Sequence, residues 1–154
     1  MKHITLAGLL LIAAPTFAQR FPRNEISINA FRNPSIGLEY RRSHVSIHAG
    51  YYPTIVSQDG AGKNVTTSFV RTGLTYWFLP VGRRENPSSF YASASYVRGL
   101  DRDYEADNGA VGEVGFRWFI WKDLNVRIGA AVLASPGKDL KLNPTPGISY
   151  SFHW

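Results

Sequence analysis

Three acids and four bases recur at alternate positions of otherwise apolar stretches: Glu25, Glu39 and Glu113 against Arg41, Arg71, Arg117 and Arg127, with His48 among them. Enclosed together, a nearly balanced set of this kind interlocks, because a buried charge left unpaired is strongly destabilising; lining an open channel, it would gate ions instead. A second pattern is His44-Val45-Ser46, an imidazole two residues from a hydroxyl. A serine becomes a nucleophile beside a base that is itself oriented by an acid, and Glu39 is the candidate acid. A third is the run Asp101, Asp103, Glu105 and Asp107, whose alternating carboxylates could offer oxygen ligands to calcium. The glycine and glutamate needed at positions six and twelve of a helix-loop-helix calcium loop are Ala106 and Gly112 here, so the run reads first as a solvated loop. Lys63, Lys138 and Lys141 could meet phosphate groups. Mixed with Asp59 and Asp139, they read as loop solubilisers. No glycine-rich phosphate loop, zinc spacing or cofactor fingerprint occurs in the sequence, so no cofactor is expected.

The elements that would position these groups follow a charged start, Lys2, and an apolar run of 11 residues from Ile4 to Ala14. With Pro15 and the small residues Thr16 and Ala18 behind it, this reads as a secretory signal peptide, residues 1–18, cleaved after Ala18. The run is too short to span a bilayer as a helix, which takes ~20 residues. Residues 19–154 then form one domain. Cys is absent, which excludes disulfides, thiolate metal sites and a cysteine nucleophile. The net charge of +6 comes from scattered bases, and no nucleic-acid partner is expected for an exported chain of this kind.

Beyond residue 18 the dominant signal is alternation with period two, the mark of strands with two different faces. Eight segments carry it, over 25–33, 35–43, 44–53, 67–79, 88–98, 110–121, 124–134 and 146–154. One parity collects Ile26, Leu38, Ile47, Leu74, Phe90, Val114, Ile128 and Ile148 with their neighbours two residues away, and it holds no charge. The other collects the acids, arginines and His48 with Gly and Ser. Phe31, Trp77, Tyr91 and Phe119 are its bulky exceptions. If Ser43 and His44 form the turn between segments two and three, Glu39 faces His48 and Arg41 faces Ser46.

Two environments fit such a split: a soluble barrel with its apolar face inward, or an outer-membrane barrel with the faces reversed. The charged face has no lysine and many small residues, which suits a narrow interior. The apolar face is rich in Tyr, Trp and Phe near strand ends, as membrane interfaces require. Links after segments three, five and seven, PTIVSQDGAGKNVT, RGLDRDYEADNG and SPGKDLKLNPT, are expected as three external loops. The short turns would lie on the periplasmic side. Arg32-Asn33-Pro34 is very short for an external link, and PVGRRENPS is long for a periplasmic one.

The signal peptide, the eight alternating segments and the terminal aromatics together resemble the small eight-stranded outer-membrane barrels of Gram-negative bacteria, such as the outer-membrane protein A transmembrane domain and the outer-membrane protein X type. The resemblance implies an all-β fold, an eight-stranded antiparallel up-and-down transmembrane β-barrel, in the cell outer membrane. It implies that Tyr150, Phe152 and Trp154 form the strand read by the barrel-assembly machinery, although the glycine expected five residues before the end is Ser149. Partners implied are outer-membrane lipid and lipopolysaccharide, the assembly machinery, and an unspecified surface or envelope protein; the expected state is a monomer. The expected role is structural or interactive rather than enzymatic, with a plugged polar lumen. His-x-Ser is similar to a feature of the lipid A deacylases, also eight-stranded barrels, but the asparagine that follows in that family is Ile47 here. A soluble lipocalin-like binding barrel is the remaining alternative. A fold of this kind hosts several functions, so function must be argued from the site.

Overall fold

A computed structural model describes residues 21–30 and 36–154. The signal segment 1–18, Phe31 and the link Arg32-Asn33-Pro34 lie outside the described residues.

Period-two alternation becomes nine antiparallel strand segments: β1 (Asn24–Ala30), β2 (Ile36–Arg42), β3 (Val45–Gln58), β4 (Asn64–Val81), β5 (Ser88–Gly99), β6 (Asn108–Trp121), β7 (Leu124–Ala134), β8 (Lys141–Pro144) and β9 (Gly147–His153). Each pairs with its sequence neighbour from β1 to β7, and β9 pairs with both β1 and β7. The sheet therefore closes into a ring through β9. β8 and β9 both lie on β7 with one unbroken register, Lys141 opposite Leu133 and Gly147 opposite Arg127. They are a single line of chain interrupted at Thr145-Pro146, where proline has no N–H to give the ladder. Thr145 N–H still donates to the Gly129 carbonyl at 2.8 Å.

Two of the three expected loops are corrected by this pairing. Most of PTIVSQDGAGKNVT is strand, because Thr54, Ile55, Thr66 and Thr67 continue the β3–β4 hairpin, and the link shrinks to 59–63. Asp59 turns that link by accepting the backbone N–H groups of Ala61 and Lys63 at 2.9 and 2.8 Å. Likewise Lys141–Pro144 is β8, so the expected loop there narrows to 135–140. β-branched polar residues keep strand geometry while hiding the hydrophobic signal.

At the other end, β2 to β3 and β6 to β7 turn in two residues. Their first positions, Ser43 and Lys122, have φ of 57° and 43°. The hairpin places Glu39 opposite His48 and Arg41 opposite Ser46.

The faces alternate along most of each strand, with interruptions at Thr67-Ser68-Phe69 and Ser88-Ser89, which are buried in succession. Ile128 is 68% exposed, and Arg127, its neighbour, is 1% exposed. Ile36, Leu38, Ile47, Leu74, Val114 and Trp118 are all exposed, whereas Glu25, Glu39, Arg41, Arg71, Glu113 and Arg117 are all buried. The ring is filled, not hollow. At the loop end Tyr52, Val56, Phe69, Val97, Tyr104, Val111, Ala131 and Leu133 pack together as a lid. At the opposite end Phe21, Trp77 and Tyr91 cluster.

Candidate functional site

The site is the enclosed ion network between those two apolar layers. Strands deliver its members because inward positions recur every second residue, and the closed ring brings distant strands face to face. Around Trp77, Glu25 on β1 takes Arg41 of β2 and, at 2.6 Å, Arg117 of β6. Glu39 on β2 takes Arg127 of β7 at 2.7 Å and the Ser46 hydroxyl. Nearer the lid, Arg71 of β4 meets Glu113 of β6 at 2.8 Å and donates to Ser93 and Ser95. Glu113 also accepts from the Tyr91 hydroxyl at 2.7 Å and the Thr145 hydroxyl at 3.1 Å. His48 bonds with Thr75 and Ser95 at 3.2 and 3.0 Å. The structure thus brings together every charged residue of the set read from the sequence, in ion pairs that mostly cross the ring.

Four arginines against three glutamates leave one positive charge in excess, and Trp77 disperses it. The guanidinium carbons of Arg117, Arg127 and Arg41 lie 4.1, 5.0 and 5.8 Å from its ring centre. An indole face attracts cations most strongly among aromatics and does so better when water is excluded. Arg117 Nε and Nη2 and Arg127 Nε and Nη2 have no hydrogen-bond partner among the described residues, so the rings take their place. The indole N–H donates to Ser46 Oγ at 2.8 Å.

Two contacts close the Phe21 end. Phe21 lies over the Arg41 guanidinium, 4.6 Å from carbon to ring centre. Asn86, from the long 82–87 link, reaches inside, donating to Glu25 at 2.6 Å and accepting from Arg41 at 2.8 Å. That burial is why the link is longer than a turn requires. Sequence reading missed Asn86 and Phe21, since neither sits on an alternating segment. Trp77, Tyr91 and Phe119 were visible as breaks in the small-residue parity. Tyr91 lies over the glycine pair Gly115 and Gly129, which face each other across β6 and β7. A methyl group on Gly115 would come within 2.6 Å of the Tyr91 hydroxyl.

The remaining candidates do not converge. His44 bonds with the Trp77 carbonyl at 2.8 Å, while Ser46 is buried and engaged by Glu39 and Trp77. Asp101 accepts the Ser68 N–H at 3.0 Å, and Asp107 lies 3.9 Å from Lys138, so these acids point to different partners. Among the described residues no three His, Cys, Asp or Glu side chains are grouped to hold a metal ion. Tyr150, Phe152 and Trp154 are exposed on the outer face, and β9 pairs with β1 along their length. A cavity of about 20 Å³ beside His48 and Arg71 has room for about one water. No protein-family model matches the chain, and neither does a curated protein or a solved structure.

Proposed function

We propose that this chain is an eight-stranded outer-membrane β-barrel whose interior is a closed structural plug, and that it acts in the envelope as a structural or surface-interaction component. The observation that carries the reading is the inversion of faces. Arg41, Arg117 and Arg127 are at most 1% exposed, whereas Ile36, Ile128 and Leu142 are 68% exposed or more. In water this arrangement would be destabilising on both counts. Around hydrocarbon it is the expected one, since a membrane β-barrel carries an apolar belt outside and polar groups within. A soluble binding barrel of lipocalin type would need the opposite faces. The filled interior favours support over transport, and the links at 59–63, 100–107 and 135–140 are the surfaces offered to lipopolysaccharide or to envelope and host proteins.

The test is fractionation of cells making the protein, combined with gel migration before and after boiling. The expected result is recovery with outer membranes and a folded band that shifts only on heating. Recovery in the soluble fraction with no heat-dependent shift would overturn the reading.

A further inference from the structure

The Phe21 end of the ring carries a basic rim. Arg23, Arg42, Arg83, Arg84 and Lys122 are exposed there, against two acids, Glu85 and Asp123. Both acids are turned to His153: Asp123 lies 3.1 Å from its Nδ1 and Glu85 3.8 Å from its Nε2. Among the described residues neither Arg83 nor Arg84 has an ion-pair partner. Beside them lies a groove of about 350 Å³ between the 82–87 link and the end of β6. Val81, Arg83, Arg84, Phe116 and Trp118 line it. Its size falls in the ~300–1,000 Å³ range of ligand clefts. One wall is cationic and the other is aromatic and continuous with the exposed apolar face, on which Trp118 is 60% and Val81 50% exposed.

We propose that this groove holds an anionic glycerophospholipid, its phosphodiester between Arg83 and Arg84 and its acyl chains along Phe116 and Trp118. Charge complementarity selects the occupant: two guanidiniums on the groove wall without a protein counter-ion attract an anion, and the apolar wall suits a chain. Guanidinium is the side chain best matched to phosphate oxygens. Trp118, and Trp121 with Lys122 5.1 Å from its ring centre, add the amphipathic aromatics that settle at a headgroup boundary. The inference rests on the membrane reading and adds a lipid class to it.

Purified full-length protein in neutral detergent, incubated with equal amounts of phosphatidylglycerol and phosphatidylcholine, tests this by native mass spectrometry. Wild type is expected to retain one phosphatidylglycerol with a preference of about thirtyfold, as two basic residues near a membrane surface supply. The Arg83→Gln/Arg84→Gln variant should lose that preference, and Lys63→Gln/Lys138→Gln at the opposite rim should keep it. Equal retention of the two lipids, an unchanged preference in the arginine variant, or release by millimolar inorganic phosphate would each overturn the assignment; the last would mean a bare anion site. If the arginine variant does not fold, quenching of wild type by brominated-chain phosphatidylglycerol decides: the quenching should fall in Trp118→Phe, and unchanged quenching overturns the proposal. A protein that enters membranes but shows no lipid preference defeats this inference alone, whereas one that stays soluble defeats the membrane reading first.

Discussion

Arg117 on β6 and Arg127 on β7 face each other directly across the strand pair, and both are buried inside the ring. Like charges opposite one another destabilise a sheet. Here two glutamates on the far side of the ring and one indole between them offset the repulsion, so the arrangement holds only while all of these partners are present.

Glu39→Gln is therefore expected to cost about 3–5 kcal/mol, the range for breaking a buried pair by removing one partner. Adding Arg127→Met should recover most of it, because the orphaned cation goes too. Urea unfolding followed by tryptophan fluorescence measures both. Losses that simply add in the double variant would show that Glu39 and Arg127 are not coupled.

Gly115→Ala sets a methyl group against the Ile128 carbonyl and the Tyr91 hydroxyl, each at 2.6 Å. The backbone contact cannot rotate away, so a loss of about 1–3 kcal/mol is expected, as for overpacked cores. Gly112→Ala, with open space around it, should be tolerated in the same assay.

Leu74→Arg separates the two environments considered for the apolar face. At the middle of a lipid-facing belt an arginine costs about 2–4 kcal/mol. On a water-facing surface it would cost almost nothing. Leu74 is exposed and its strand partners are Ile47 and Ala94, so no interior contact is disturbed. An unchanged unfolding midpoint in lipid vesicles would count against the membrane proposal.

Asn86→Ala removes two hydrogen bonds to buried charges, each worth about 1.5–3 kcal/mol. The ring should nevertheless stay electrically silent in a planar bilayer, because Trp77, Tyr91 and the lid behind Asn86 remain. Steady conductance in this variant would identify Asn86 as the element that blocks a pore.

Which face each side chain takes was legible in the sequence because a strand repeats every two residues, and no residue assigned inward or outward from 36 to 154 changes side. Hairpin register was legible too, through the two-residue turn at Ser43-His44. What the register could not tell is who meets whom across the interior. Glu39 does stand opposite His48, yet its carboxylate reaches Arg127, 88 residues away. Alternation fixes direction along a strand, whereas contacts across a closed ring depend on stagger and on how strongly the sheet coils. The loop-end strands hid for a different reason. Thr54, Thr66 and Lys141 are polar, so a hydrophobicity pattern fades where the ladder does not. Phe21 and Asn86 belong to segments without a period and had no signal to give.

The chain distributes its acids and bases unevenly in time as well as space. Glu25 and Glu39 come in the first two strands, and the arginines that neutralise them from across the ring, Arg117 and Arg127, come 92 and 88 residues later. Glu25 meets Arg41 within the first hairpin, whereas the arginine that Glu39 pairs with, Arg127, lies on β7. An early hairpin would carry acids short of bases, and a late one bases short of acids. Because β9 links β7 to β1, its pairing is what brings the cross-ring partners Glu25 and Arg117, and Glu39 and Arg127, to face each other.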